Sequence, residues 1–174
     1  MLNQADIKQA LENIPWFLDL KESQLEQLAK ITRFRQVNAD EEVFHEGDRE
    51  DFLYIVIEGQ VALNTFVPSW GMLRTFTAEP LDIFGWSSLT PVARQRVSSA
   101  QTVGPCRLIA IEGEALKNLC EKDHDIGFVV MRRLANIVAS RLLTTRLALF
   151  DVIIQTSDET AHARNDLSDS TSRK

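Results

Sequence analysis

The chain has 174 residues, of which 44% are hydrophobic, and carries a net charge of −6. This length supports one well-buried domain with appendages. The acidic net charge argues against a basic surface that binds nucleic acid or anionic lipid. Any anion that the protein binds must therefore be held by a local group of side chains. No apolar run approaches about 20 residues and the N-terminus has no basic start, so we expect a soluble cytoplasmic protein without a membrane segment.

Two short helices are predicted at the N-terminus. The first can be capped by Asn3 or Asp6 and stops before Pro15. The second begins at about Glu22, and its apolar face with the apolar residues 16–18 should form a cap on the main body.

From residue 31 to residue 111 the pattern changes to short alternating runs separated by turn-forming residues. Such a pattern is typical of a β-sandwich or β-barrel. Residues 52–57 are the strongest predicted strand, and residues 60–67 are its expected hairpin partner across the Glu58-Gly59 turn.

Within this β region, residues 84–89 predict a phosphate-binding turn. A glycine lets backbone N–H groups approach an anion, the short helical turn after it directs amides at the charge, and an arginine can bind bidentately. The residues concerned are Phe84, Gly85, Trp86, Ser87, Ser88 and Leu89, followed by Arg94.

A short helix is predicted over residues 112–122, and a long one runs from Asp123 or Asp125 to about Phe150. The long helix has a broad apolar face: Ile126, Val129, Val130, Leu134, Ile137, Val138, Leu142, Leu147 and Leu149. This face can pack entirely on its own β domain, or it can exceed what the domain covers and bind a second copy. We expect a homodimer through this helix.

The residues after the long helix are polar, so we expect a disordered tail. They contain no second apolar-periodic segment for a recognition helix, so we expect no direct DNA binding.

Cysteine and histidine are too few and too scattered to predict a metal site. Cys106 and Cys120 form no short-spaced pair, and His45, His124 and His162 show no ligand-like spacing. We therefore expect no metal and two reduced, buried cysteines.

The spacing of three glycines resembles that of the cyclic nucleotide-binding domain family. Gly47, Gly59 and Gly85 are 12 and 26 positions apart, and acidic residues flank the first two. The resemblance covers roughly residues 16–152 and is to the sensor half of regulators of the catabolite-activator type. It implies a mainly β fold with flanking α-helices: a double-stranded β-helix, or jelly roll, with N-terminal helices and a long C-terminal helix. Gly47 and Gly59 would then be structural glycines at tight corners.

The resemblance also implies roles for residues near the turn. Arg94 lies six positions before Ala100, as the phosphate-binding arginine of the family precedes a strand alanine, and Gln95 would contribute a backbone amide. Further donors would be Ser87, Ser88 and the amides of residues 85–89.

Trp86 departs from the family pattern, in which a glutamate accepts a hydrogen bond from the ribose 2′-hydroxyl. An indole offers no acceptor, and an unpaired buried hydroxyl costs about 1–3 kcal/mol, or about 5- to 150-fold in affinity. Trp86 can instead stack on a base or fill the pocket. The family pattern makes cyclic AMP and cyclic GMP candidate ligands, whereas Trp86 favours a filled pocket or a different ligand.

In the long helix, Thr144 and Thr145 follow Arg141-Leu142, much as base-contacting polar residues follow an arginine–leucine pair in the family. The alternative is that they donate hydrogen bonds to carbonyls of their own helix.

Two functions are compatible with these features. The first is a standalone, non-enzymatic sensor that binds a small phosphate-bearing effector between β-roll and long helix and signals through helix position and dimer geometry. The second is a degenerate dimeric module that binds an unidentified protein partner and no nucleotide. A cupin-like metalloenzyme would need clustered histidines, and His45 is the only histidine of the β region.

The predicted divisions are an N-terminal helical cap over residues 1–30, a β-roll with a phosphate-binding cassette over 31–111, C-terminal helices over 112–155 and a disordered polar tail over 156–174.

Overall fold

The computed structural model describes residues 4–49, 52–68, 70–90 and 95–171. The chain forms two compact units, residues 1–135 and residues 136–174. The first unit contains the N-terminal helices, the strands and the start of the last helix.

The two predicted N-terminal helices are confirmed as α1 (Gln4–Glu12) and α2 (Glu22–Lys30). Their apolar residues are buried, and Phe17 between them is fully buried. The side chain of Gln24 donates a hydrogen bond of 2.9 Å to Asp123, which ties α2 to the start of the last helix. This bond is the main cause that lowers the pKa of the Asp123 carboxyl.

The predicted β domain is confirmed as two antiparallel sheets of four strands each. The strands are β1 (Thr32–Val37), β2 (Glu42–Phe44), β3 (Phe52–Glu58), β4 (Val61–Val67), β5 (Gly71–Ala78), β6 (Ile83–Phe84), β7 (Ser99–Thr102) and β8 (Cys106–Glu112). One sheet has the order β1-β8-β3-β6 and the other the order β2-β7-β4-β5. Side chains from both sheets form one core cluster, which includes Phe44, Tyr54, Phe84 and Leu108. The fold is therefore a β-roll with helices at both ends of its sequence.

The predicted hairpin between residues 52–57 and 60–67 is wrong, because β3 pairs with β8 and β6 whereas β4 pairs with β5 and β7. The turn carries the chain from one sheet to the other. The Gln60 carbonyl accepts the N–H of Val103 at 2.9 Å and the thiol of Cys106 at 3.2 Å. The Gln60 carbonyl is thus hydrogen-bonded to residues at and before the start of β8, and not to a hairpin partner strand.

Gly59 makes this crossing possible. Its φ is +85°, and a Cβ built there would lie 2.5 Å from the Pro105 carbonyl oxygen and 2.6 Å from Cys106 Sγ. Gly47 also has a positive φ, of +88°, but open space around it. Both predicted structural glycines therefore adopt the left-handed conformation, and Gly59 has a steric requirement in addition.

The C-terminal helices are α3 (Gly113–Lys122) and α4 (His124–Thr171). Asp123 Oδ1 accepts the N–H groups of Asp125 and Ile126 at 3.0 and 3.2 Å, which confirms Asp123 as the N-cap of α4. The helical backbone continues past Phe150 to Thr171, where the sequence predicts a disordered tail. No glycine or proline occurs in residues 128–171, and a polar composition alone does not end a nucleated helix. The four domain divisions stay predictions.

The two glycine environments predict a graded loss of stability. Gly59→Ala should cost more than Gly47→Ala, because Gly47→Ala adds only backbone strain of about 1–2 kcal/mol. Gly104→Ala is the matched control, since Gly104 has open space around it and no positive φ. Urea unfolding of the three variants measures the order, and an equal effect at Gly59 and Gly104 would contradict the steric argument.

Candidate functional site

The predicted phosphate-binding turn lies at the end of β6. Phe84 pairs with Tyr54 of β3, Gly85 has a φ of +74°, and a single 3-10 turn follows over Trp86–Leu89. A Cβ on Gly85 would lie 2.8 Å from Nη1 of Arg96 and 3.0 Å from the Phe52 carbonyl oxygen. Glycine is therefore required here by both the backbone conformation and the close contact.

The hydroxyls of one serine and one threonine fix the shape of the turn. The Ser88 side chain donates to the Gly85 carbonyl at 3.1 Å, and the Thr90 hydroxyl donates to the Ser87 carbonyl at 3.3 Å. Leu89 is buried and anchors the end of the turn in the domain. Trp86, Ser87 and Ser88 are half-buried, so they lie at the edge of the β-roll and not in its core.

Arg96 lies against this turn and is only 3% exposed. Its guanidinium donates hydrogen bonds to the Gly85 carbonyl, to the Ser87 hydroxyl at 3.0 Å and to the Phe52 carbonyl at 2.7 Å. The guanidinium carbon is 4.3 Å from the centre of the Phe44 ring. Arg96 thereby connects strand β3, the turn and the aromatic core, and it brings a permanent positive charge to the turn.

The backbone of Arg96 is held as firmly as its side chain. Its N–H donates to the Asp48 carbonyl at 3.0 Å, and its carbonyl accepts the N–H of Gly47 at 2.8 Å. The Gly47 corner therefore helps to place the arginine, which gives this glycine a role in the site as well as in the fold.

The structure groups some of the predicted site residues and separates others. Residues 84–89 form one turn, and Gln95 is exposed next to Arg96 in sequence. Arg94 lies outside the described residues. Thr144 and Thr145 belong to the second unit and are exposed, and the Thr144 hydroxyl donates to the Ser140 carbonyl of its own helix at 3.0 Å. The ligand-binding assignments of all these residues stay predictions.

Sequence reasoning missed Arg96. The segment Arg94-Gln95-Arg96 offers two arginines, and the family spacing to Ala100 selected the first. What distinguishes Arg96 is its burial against Gly85 and Phe52, which no local pattern reveals because these partners are 11 and 44 residues away.

The thiols show no sign of a reactive role. Cys106 is buried, and this burial raises the pKa of its thiol. Cys120 is half-buried, and burial is the main cause that raises the pKa of its thiol to about 11. Both thiols are therefore protonated at neutral pH and poor nucleophiles. The side chains that the structure describes include no group of three or more potential metal ligands, and no described helix has the length and apolar character of a membrane span.

Comparison with known proteins relates this fold and turn to one family. A family model described as "Cyclic nucleotide-binding domain" matches residues 34–123, which contain all eight strands except the first two residues of β1. An NTE family protein of Mycobacterium tuberculosis is 40% identical over 55 residues, which are 32% of this chain and 9% of the relative. The CRP-like cAMP-activated global transcriptional regulator of the same species is 31% identical over 111 residues, 64% of this chain and 47% of the relative. The chain thus spans less than half the length of these curated relatives.

A solved structure from Geobacter metallireducens GS-15, of a candidate cyclic nucleotide-binding protein, extends the similarity to the overall chain. The two chains are 28% identical and superpose with a TM-score of 0.66, over 82% of this chain and 99% of the other. The similarity of fold therefore extends over most of this chain and nearly all of the other protein.

Removal of the Arg96 guanidinium should destabilise the domain. Arg96→Ala leaves three acceptors without their donor, and we expect a loss of about 3 kcal/mol or more. Arg107→Ala is the matched control, because Arg107 pairs with Glu58 on the exposed side of the sheet and should contribute less than about 1 kcal/mol. Chemical unfolding measures both, and equal losses would show that Arg96 is not the structural link.

Proposed function

The chain belongs to the cyclic nucleotide-binding domain family as a sensor or regulatory domain, and we propose that it binds a small phosphate-bearing effector at residues 85–89. In this proposal Arg96 supplies positive charge beneath the turn, and Arg94 with the amide of Gln95 contacts the phosphate. Binding is read out through the position of α4 and the geometry of a dimer.

The observation that carries this proposal is the placement of the Arg96 guanidinium. A buried cation raises the local potential, so an anion at the turn gains more from it than from an exposed arginine. Gly85 allows the Arg96 guanidinium to lie directly against the turn, because a Cβ at this position would be 2.8 Å from Nη1 of Arg96. The domain thus has a local means of binding an anion despite its net negative charge.

Trp86 argues that the ligand is not recognised through a ribose 2′-hydroxyl. The side chain is half-buried, and its indole can donate but not accept a hydrogen bond. A ligand that offers a flat ring to Trp86 would gain stacking instead. Cyclic AMP and cyclic GMP should therefore bind more weakly than a ligand that lacks this hydroxyl or forms an internal hydrogen bond with it.

One observation favours the second candidate, a dimeric module that binds a protein partner and no nucleotide. Arg96 already donates to three protein acceptors, on Gly85, Ser87 and Phe52. A phosphate that recruited this guanidinium would have to displace some of these bonds, which reduces the net gain on binding.

The proposed dimer has a surface that fits it. Exposed residues of α4 recur at alternating intervals of three and four, which is the heptad pattern of a coiled coil. They are Val138, Leu142, Thr145 and Leu149, all in the second unit. The residues of α4 that are buried in the first unit are Ile126, Val129, Val130 and Leu134. We call the exposed set the heptad stripe and propose that it pairs with the same stripe of a second copy.

Ligand binding is tested by isothermal titration of purified protein with cyclic AMP, cyclic GMP and a cyclic dinucleotide, after mass spectrometry for a co-purified small molecule. We expect binding of a phosphate-bearing ligand that Arg94→Ala abolishes, whereas Arg74→Ala, at an exposed strand position, leaves it unchanged. No binding and no co-purified ligand would instead support the second candidate.

The role of Trp86 is tested by Trp86→Glu. The new carboxylate supplies the missing acceptor, so the affinity for cyclic AMP or cyclic GMP should rise about 5- to 150-fold. Trp86→Phe is the control, since it keeps an aromatic ring and adds no acceptor. If Trp86→Glu binds neither nucleotide, the pocket differs from the family pattern at more than this position.

The dimer is tested by Leu142→Glu, which places a charge in the heptad stripe of both copies. The variant should sediment as a monomer at micromolar concentration where the natural protein sediments as a dimer. Leu147→Glu is the matched control, because Leu147 is also exposed but lies outside the stripe. A monomeric natural protein, or dissociation by both variants alike, would refute pairing through the stripe.

A further inference from the structure

Two arginines project from the core-facing side of β1. Arg33 and Arg35 lie opposite Ala110 and Leu108 of β8 in the antiparallel register, and directly opposite residues point to the same face of a sheet. Ala110 and Leu108 belong to the core cluster, as does Val37, which follows Arg35 by two residues. Both arginines therefore stand on the face that borders the core.

An aromatic ring holds each guanidinium in place. The guanidinium carbon of Arg33 is 4.2 Å from the centre of the Phe52 ring, and that of Arg35 is 5.9 Å from the centre of the Tyr54 ring. Nη1 of Arg35 also donates to the Tyr54 hydroxyl at 3.3 Å and to the Val43 carbonyl at 3.2 Å. Arginines that are ordered in this way lose less conformational entropy when they bind a ligand.

Within the described ranges, neither guanidinium has a carboxylate partner. Arg107, Arg132 and Arg133 illustrate the usual case, since each pairs with an aspartate or glutamate. To the residues that the structure describes, Arg33 donates no side-chain hydrogen bond and Arg35 donates only through Nη1, so the other guanidinium N–H groups can bind a ligand.

The two arginines lie on an edge strand, and Glu41 and Glu42 near it are paired with other groups. β1 is the edge strand of its sheet, so only β8 flanks it there, with the uncharged side chains of Ala110 and Leu108. The acids of the neighbouring β2 region have other partners. Glu42 pairs with His45 at 2.9 Å, and Glu41 accepts hydrogen bonds from Asn38 at 3.0 and 3.1 Å.

We propose that Arg33 and Arg35 form a second anion site, distinct from the turn at residues 85–89, for a small molecule with two linked oxyanion groups such as a diphosphate. Residues two apart on a strand are about 7 Å apart. Each guanidinium can therefore bind one oxyanion group bidentately, with both groups belonging to the same ligand. The bound anion offsets the repulsion between two like charges on one strand face. This site does not depend on the proposed function of the turn.

The test is calorimetric titration of the full chain with pyrophosphate, orthophosphate and sulfate at matched ionic strength. We expect pyrophosphate to bind more tightly than the other two anions. Arg33→Ala and Arg35→Ala should each weaken pyrophosphate binding by about tenfold or more, and the lysine variants less, because lysine keeps the charge but not the fork. Arg74→Ala, another exposed strand arginine, should leave binding unchanged.

Three outcomes would overturn the proposal. The first is the absence of pyrophosphate binding to the natural protein. The second is equal binding of pyrophosphate to the natural protein and to both Arg33 variants. The third is that Arg96→Lys loses pyrophosphate binding whereas Arg33→Lys and Arg33→Ala bind it as the natural protein does. This result would place the anion at the turn. Arg33 is exposed, so its variants should fold, and circular dichroism checks this.

Discussion

A buried guanidinium organises the part of the β-roll that contains the candidate site. Burial of a charged group is costly unless it is hydrogen-bonded, and Arg96 meets this condition through carbonyls of Phe52 and Gly85 and the hydroxyl of Ser87. The same residue bonds the Gly47 corner through its backbone. Strand β3, the turn and the Gly47 loop are therefore fixed relative to one another by a single side chain and its peptide groups. The turn has a defined shape because the protein supplies these bonds itself.

The aromatic core completes this arrangement. Tyr54 and Phe84 stack with ring centres 5.2 Å apart, and Phe44 lies 6.0 Å from each of them. Arg96 covers Phe44, and Arg35 and Arg33 cover Tyr54 and Phe52. Rings with a negative face favour cations above them. An acidic protein thus concentrates positive charge around one aromatic cluster, and both anion sites proposed above draw on it.

Much of the fold could be predicted from the sequence because its signals are local. Helical spacing located α1 and α2, and Asp123 was one of the two residues predicted to cap α4. Strand pairing was not predictable in the same way. The short Glu58-Gly59 turn suggests a hairpin. The chain instead crosses from one sheet to the other at Gly59, which packs against Pro105, 46 residues later. Arg96 was missed for a similar reason, since its burial depends on partners distant in sequence. The turn itself was predictable, because Gly85 and the serines that shape it are adjacent.

In the proposed site, Arg96 forms a rigid, charged base for an anion at the turn. Nitrogen-15 NMR of the arginine side chains tests this most directly. We expect the Arg96 side-chain N–H signals to be protected from solvent exchange in the free protein, unlike those of the exposed Arg74, and to shift together with the amides of residues 85–89 when a phosphate-bearing ligand is added. Arg96 signals that exchange as fast as those of Arg74, or that stay fixed while a ligand binds, would contradict this account of the site.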